Sequence, residues 1–164
     1  MARVLIVGCG CRGRALAGEL AGVGHAVRGT TREAARREAI AAAGAEPYVG
    51  DPDRVGSLVA ALQGVAIVCW LLADAAGTDA DVAQLHGPRL RSFYEQLVDT
   101  GVRGVVYEAA GSVAAPVLAD GVEIARTASR TWAIPLAVLD ADPRHRDGWL
   151  AAARSAIDRL LAPG

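Results

Sequence analysis

Residues 3–32 read RVLIVGCGCRGRALAGELAGVGHAVRGTTR, and this stretch decides the fold. Val4 to Val7 is a short apolar run rich in β-branched residues, as suits a strand covered on both faces. Gly8, Gly10 and Gly13 follow in G-x-G-x-x-G spacing. An alanine- and leucine-rich stretch suited to a helix comes next, then a second strand candidate from His25 to Gly29. Together they form a βαβ unit of about 30 residues. Within it Gly8 allows a tight turn, Gly10 lets the backbone come close to a pyrophosphate, and Gly13 lets the helix pack on the strand. The helix start, with Cys11 and Arg12 in its first turn, offers free N–H groups and a partial positive charge to an anion. A second reading keeps the turn and drops the ligand, leaving glycines that serve only helix-on-sheet packing.

Moving outward, the segment Thr30-Thr31-Arg32-Glu33 carries two readings. Thr30 with Glu33 has the spacing of a capping box for a helix running to about Ala43, with Gly44 as its stop. The same place is where a dinucleotide site meets the adenosine ribose. An NAD site has Asp or Glu there, whereas a nearby Arg accommodates a 2′-phosphate. No carboxylate precedes Glu33, so NADP is the expected cofactor, with Thr30, Thr31 and Arg32 around its phosphate and NAD as the alternative.

The rest of the chain repeats the alternation. Strands are expected at Glu46–Val49, Val65–Leu72, Gly104–Tyr107 and Ile134–Leu139. Helices are expected at about Arg54–Leu62, with Asp51 or Asp53 as its cap, at Pro88–Thr100, at Asp120–Trp132 and at Gly148–Leu161. Leu90, Phe93, Tyr94 and Leu97 give the second of these an apolar face. Thr78–Leu85 reads as a polar loop, His86 as a solvated loop histidine, Asp74 as a turn or cap residue at the ligand edge of the sheet, and Pro116 as part of an irregular stretch. The fold class is α/β: one doubly wound, mostly parallel six-stranded Rossmann sheet with helices on both faces, a single dinucleotide-binding domain over residues 1–164 with nothing appended.

Composition narrows the chemistry. Hydrophobic residues make up 52% of the chain and aromatics 4%, so the core is built from Ala, Val and Leu. A formal charge of -1 gives no general pull toward nucleic acid or a membrane surface. All 17 basic residues are arginine, which excludes a lysine nucleophile, Schiff base or proton relay. No apolar run is long enough to span a bilayer and no signal peptide is apparent, so a cytoplasmic protein is expected. Cys9, Cys11 and Cys69 read as reduced thiols, the first two as small residues in a crowded turn, and no metal site is expected.

VLIVGCGCRGRALA at 4–17, VRGTTR at 27–32, GDPD at 50–53 and GVRGVVYEAAGSV at 101–113 resemble the short-chain dehydrogenase/reductase superfamily. The likeness is strongest to its atypical and extended branch, which includes NmrA-like proteins and the epimerase/dehydratase type. The resemblance implies that the glycines bind the pyrophosphate and that Thr31 and Arg32 meet the adenosine end. It places Asp51 at the adenine edge and the residues from Leu72 and Ala73 to Ala75 on the nicotinamide side.

The chain also departs from that family. Its proton relay uses a tyrosine four residues before a lysine, on the helix after the fifth strand, and a serine at that strand's end. Here there is no lysine, Asp120–Trp132 contains no tyrosine, and Ala109 and Ala110 stand where serines are usual. The substrate-binding portion of the extended branch is expected to be missing. Two functions remain: a dinucleotide sensor or binding module, or a small NADP-dependent oxidoreductase or epimerase-like enzyme. In the enzyme reading Tyr107, Glu108, Ser112 and His145 are the candidate acid/base groups, and no catalytic residue is assigned. Self-association is expected in either case, as a way to cover the open edge of the sheet.

Overall fold

A computed structural model describes residues 1–164. Its six strands are β1 (Arg3–Val7), β2 (Ala26–Thr31), β3 (Glu46–Val49), β4 (Ile67–Trp70), β5 (Gly104–Glu108) and β6 (Leu136–Leu139). They form one sheet in the order β3-β2-β1-β4-β5-β6, and every adjacent pair is parallel. The chain winds outward from β1 to β3, then crosses back to β4 and winds the other way. That reversal opens a crevice at the carboxyl ends of β1 and β4, where open α/β sheets take their ligands.

Alternation along β1 builds both layers. Val4 and Ile6 pack with α1 (Cys11–Gly22), α2 (Arg37–Ala42) and α6 (Arg146–Leu161). Leu5 and Val7 point the other way. They meet a 3-10 segment (Val55–Leu62), α4 (Pro88–Leu97) and α5 (Ala115–Trp132). β4 is buried along its whole length, IVCW, as a strand covered on both faces must be. Leu90, Phe93, Tyr94 and Leu97 of α4 are all buried, each stabilising the domain by roughly 1.5–3 kcal/mol through area removed from water. The doubly wound α/β sheet expected from the pattern is present. No helix is long and apolar enough to cross a membrane.

Several boundaries differ from the sequence reading, each for a local reason. Thr78–Leu85 is not a loop: Asp79–Leu85 forms α3. Thr78 Oγ1 accepts the Asp81 N–H at 3.2 Å while Asp81 Oδ2 accepts the Thr78 N–H at 3.3 Å, and Val82 and Leu85 give the turn a buried face. The capping box expected at Thr30 and Glu33 does not form, because β2 runs on through both threonines. Thr30 instead turns its hydroxyl to accept the Gly8 N–H at 3.1 Å. The helix after β2 is accordingly broken into a 3-10 turn (Ala34–Arg36) and α2, ending before Gly44 at φ +94°.

Val55–Leu62 is 3-10 and lacks a side-chain cap, since Asp51 Oδ1 is taken by the Asp53 N–H at 2.9 Å. α5 begins at Ala115, with Pro116 in its first turn where no donor is needed. Asp120 and Glu123 therefore lie within the helix and do not start it. Gly121 of α5 sits against the Tyr107 hydroxyl, where a side chain of any size would collide.

Candidate nucleotide-binding site

A cleft of about 410 Å³ opens at the reversal point of the sheet. One wall is the turn from β1 into α1. Gly8 has φ +86°, and a Cβ there would lie 2.5 Å from the Leu71 carbonyl oxygen, so the turn closes only with glycine. Gly13 packs against Ile6 and the Gly8 carbonyl, with 3.2 Å available to a Cβ. Gly10 differs from both: its φ is -81° and nothing lies within 4 Å of where its Cβ would stand. The fold does not need a glycine at that position, but a molecule lying across the turn would. α1 starts there with no side-chain cap and no acidic residue in its first turn, leaving its leading N–H groups directed at the cleft.

Of the residues singled out from sequence, Gly8, Gly10, Cys11, Arg12, Gly13, Thr30, Thr31, Arg32 and Leu72 line the cleft. Asp51 and Ala73 do not, although their neighbours Gly50, Pro52 and Asp74 do. Asp51 has its carboxylate turned to its own loop, and Ala73 is fully buried beneath. Sequence reasoning missed Glu33 and Arg36, which reach the β2 end of the cleft and pair with each other at 3.0 Å. The i, i+3 spacing was visible, but its facing depends on the 3-10 turn.

Arg12 is held by protein groups. Its Nε and Nη2 donate to Glu108 Oε2 at 3.1 and 2.7 Å, its Nη1 pairs with Asp74, and its guanidinium lies 5.4 Å from the Trp149 ring centroid. Glu108 is 0% exposed, and its Oε1 accepts the Ala73 N–H at 3.2 Å. Burial pushes the Glu108 carboxyl above its ordinary value, opposed by Arg12 and the Ala73 amide. Every one of these partners is a donor, so each contact favours the carboxylate over the neutral acid. Burial also works against the Asp74 charge, but the Ser112 N–H, 2.6 Å from Oδ1, and Arg12 together hold its carboxyl below the usual range.

None of the four proposed acid/base groups lines the cleft, Glu108 included. Tyr107 is buried in β5, Ser112 contributes its backbone to Asp74, and the His145 side chain is 81% exposed beside Asp142. Cys9 is buried and Cys11 exposed, so only the first is a packing residue. Burial raises the Cys9 thiol to about 11 and that of Cys69 to about 12, and no group of side chains is arranged for a metal.

His86 is 1% exposed, contrary to the solvated loop residue expected. Its Nε2 lies 2.9 Å from the Leu72 carbonyl oxygen and its Nδ1 lies 2.7 Å from the Tyr107 hydroxyl. A carbonyl can only accept, so Nε2 carries the proton and the tyrosine donates to Nδ1. The pair ties a residue of the cleft wall to β5 from behind. Burial lowers the His86 pKa, opposed by the Leu72 carbonyl. The unfolded chain then takes up a proton near pH 6.5 that the folded chain resists, and stability falls as pH drops below that point. The thermal midpoint is expected to decrease from pH 7.5 to 5.5, with a shallower decrease in His86→Gln; identical slopes would contradict the assignment.

The NAD(P)H-binding family matches residues 8–133, from the glycine turn to the end of α5. No curated protein matches the chain. Among solved structures, UDP-glucuronic acid 4-epimerase from Bacillus cereus in complex with NAD superposes with a TM-score of 0.69 at 13% identity, over 83% of this chain and 55% of that one. UDP-glucose 4-epimerase from Thermotoga maritima gives 0.71 at 12% identity, over 83% and 54%. Citrobacter sp. triphenylmethane reductase gives 0.65 at 19%, over 84% and 48%. The chain thus spans about half the length of these structures, and at such identities the likeness is one of fold.

Proposed function

We propose, from the premise that the chain belongs to the NAD(P)H-binding family, that it is a dinucleotide-binding module with a preference for the 2′-phosphorylated form. The observation that carries this reading is Gly10, a glycine that neither backbone angle nor packing demands, placed at an uncapped helix start. The pyrophosphate lies on the amides of Gly10 to Gly13, and the adenosine end lies at Thr30, Thr31, Arg32 and Arg36. Asp51 contributes at the adenine edge through its loop, and Leu72 and Ala73 back the nicotinamide half.

A sensor or carrier role fits better than the family's proton-relay chemistry. The chain has no lysine, α5 has no tyrosine, and Glu108 is fully occupied by Arg12 and the Ala73 amide. The alternative, an NADP-dependent oxidoreductase or epimerase-like enzyme, is favoured by one observation: the partly exposed Asp74 carboxylate at the second half of the cleft. Sustained turnover of NADPH with aldehydes or ketones would decide for the enzyme. Three free cysteines suit a reducing, cytoplasmic setting, and a second copy of the chain covering the open sheet edge would make the protein a homo-oligomer.

Titration with NADPH and NADH, followed by thermal shift, tests the reading. Gly10→Val is expected to weaken both by about tenfold or more, a loss of at least 1.4 kcal/mol, while leaving the melting temperature of the free protein unchanged. Arg32→Ala is expected to weaken NADPH selectively, because a charge-assisted contact to the phosphate is lost. Undiminished affinity in Gly10→Val would overturn the reading.

A further inference from the structure

The sheet ends in β3 on one side and β6 on the other, and β3 carries a device against further pairing that β6 lacks. In a parallel ladder one residue turns both its N–H and its C=O to the neighbouring strand, and the next turns both away. The Gly50 N–H reaches back to the Thr31 carbonyl, so Glu46 and Tyr48 also face β2 while Pro47 and Val49 face outward. Pro47 has no N–H to offer there, and proline at such a place blunts an edge. In β6 the Val105 N–H donates to the Pro135 carbonyl and the Ala109 N–H to the Leu139 carbonyl. Pro135, Ala137 and Leu139 therefore face β5, and Leu136, Val138 and Asp140 hold unpaired N–H and C=O groups on the outer side. The strand reads LAVL, with neither a proline nor a charge to deter a neighbour.

We propose that β6 pairs with β6 of a second copy of the chain, antiparallel about a two-fold axis beside Val138, so that one sheet runs through both. Val138 then exchanges both of its bonds with Val138 of the second copy, and Leu136 exchanges its own with Asp140. Charge on either side of the edge singles out a second copy as the occupant. Leu136 packs on the α5 side of the sheet, and Asp140, which shares its alternation, lies on that side too. Asp140 is exposed and forms no ion pair, and the same holds for Arg130 in the last turn of α5. α5 ends beside the start of β6, where the Ser129 hydroxyl donates to the Ile134 carbonyl. Antiparallel pairing lays the end of one β6 along the start of the other and keeps the two α5 helices on one side. Each Asp140 is thereby brought to the end of the other copy's α5, where Arg130 stands. No residue of β6 lines the nucleotide cleft, so the pairing leaves the cleft open. It rests on the self-association proposed above, which it narrows to one surface, and on no ligand.

Light scattering over a concentration series, joined to amide hydrogen exchange by NMR, tests this on the full chain. A dimer is expected, in which the Leu136 and Val138 amides are protected although neither has a partner within one copy. Val138→Pro does at the axis what Pro47 does in β3, removing a donor that no bond inside the protomer uses. It is expected to raise the dissociation constant of the dimer by at least about tenfold, since two symmetry-related bonds are lost. Asp140→Arg changes an exposed residue outside the core and is expected to weaken the dimer about threefold to tenfold at low salt, and adding Arg130→Asp to restore it. Should Val138→Pro fail to fold, the exchange of the two amides and the charge swap still decide. A dimer that these variants leave intact, or one whose Leu136 and Val138 amides exchange freely, overturns pairing through β6 and leaves self-association standing. A wild type that remains a monomer overturns both.

Discussion

Arg12→Met is expected to lower the free energy of unfolding by about 3–5 kcal/mol, the range for removing one partner of a buried ion pair. The cause is what remains: Glu108, 0% exposed at the end of β5, would keep a single donor, the Ala73 amide at 3.2 Å. Asp74 would keep only the Ser112 N–H. Methionine retains much of the aliphatic stem, so the loss reports the guanidinium, with its two carboxylate partners and its place over the Trp149 ring. Urea denaturation measures it. The double variant Arg12→Met with Glu108→Gln is expected to recover a large part of the loss, because no unpaired charge then remains inside. A single variant within 1 kcal/mol of wild type would show that Glu108 is solvated or protonated at little cost.

Gly8→Ala is the second large effect, about 2–5 kcal/mol. A left-handed residue bearing a Cβ costs roughly 1–2 kcal/mol, and crowding in a packed region adds roughly 1–3. The collision is with the Leu71 carbonyl oxygen at 2.5 Å, a backbone atom of the neighbouring chain segment that cannot swing aside. Gly10→Ala, two residues on, meets nothing within 4 Å and is expected to melt with the wild type. Equal melting temperatures for the two variants would remove the distinction between the glycine that shapes the turn and the glycine that admits a ligand.

Much of this architecture was legible in the sequence because its signals are local. A glycine spacing after an apolar strand, an i, i+3, i+4, i+7 face on α4 and a run such as IVCW each identify an element without knowledge of its neighbours. What escaped depends on partners far along the chain. Thr30 has the spacing of a helix cap, yet its hydroxyl serves Gly8 across the sheet. Glu108 was visible as an unusual carboxylate at a strand end, but its partner lies 96 residues away. The Thr78–Asp81 capping box was available in the sequence and was outweighed by the polarity of the segment. His86 looked solvated because nothing near it reveals that Tyr107 and Leu72 close around it.

That enclosure has a bearing on how the chain can diverge. His86 enters from the corner before α4, Tyr107 from β5, and Gly121 from α5 leaves the space into which the phenol projects. Adding a methyl group at 121 forces the ring out, and losing the ring strands an imidazole nitrogen with no donor. The three positions are therefore inherited as a set, and relatives that replace one should show compensating replacements at the other two.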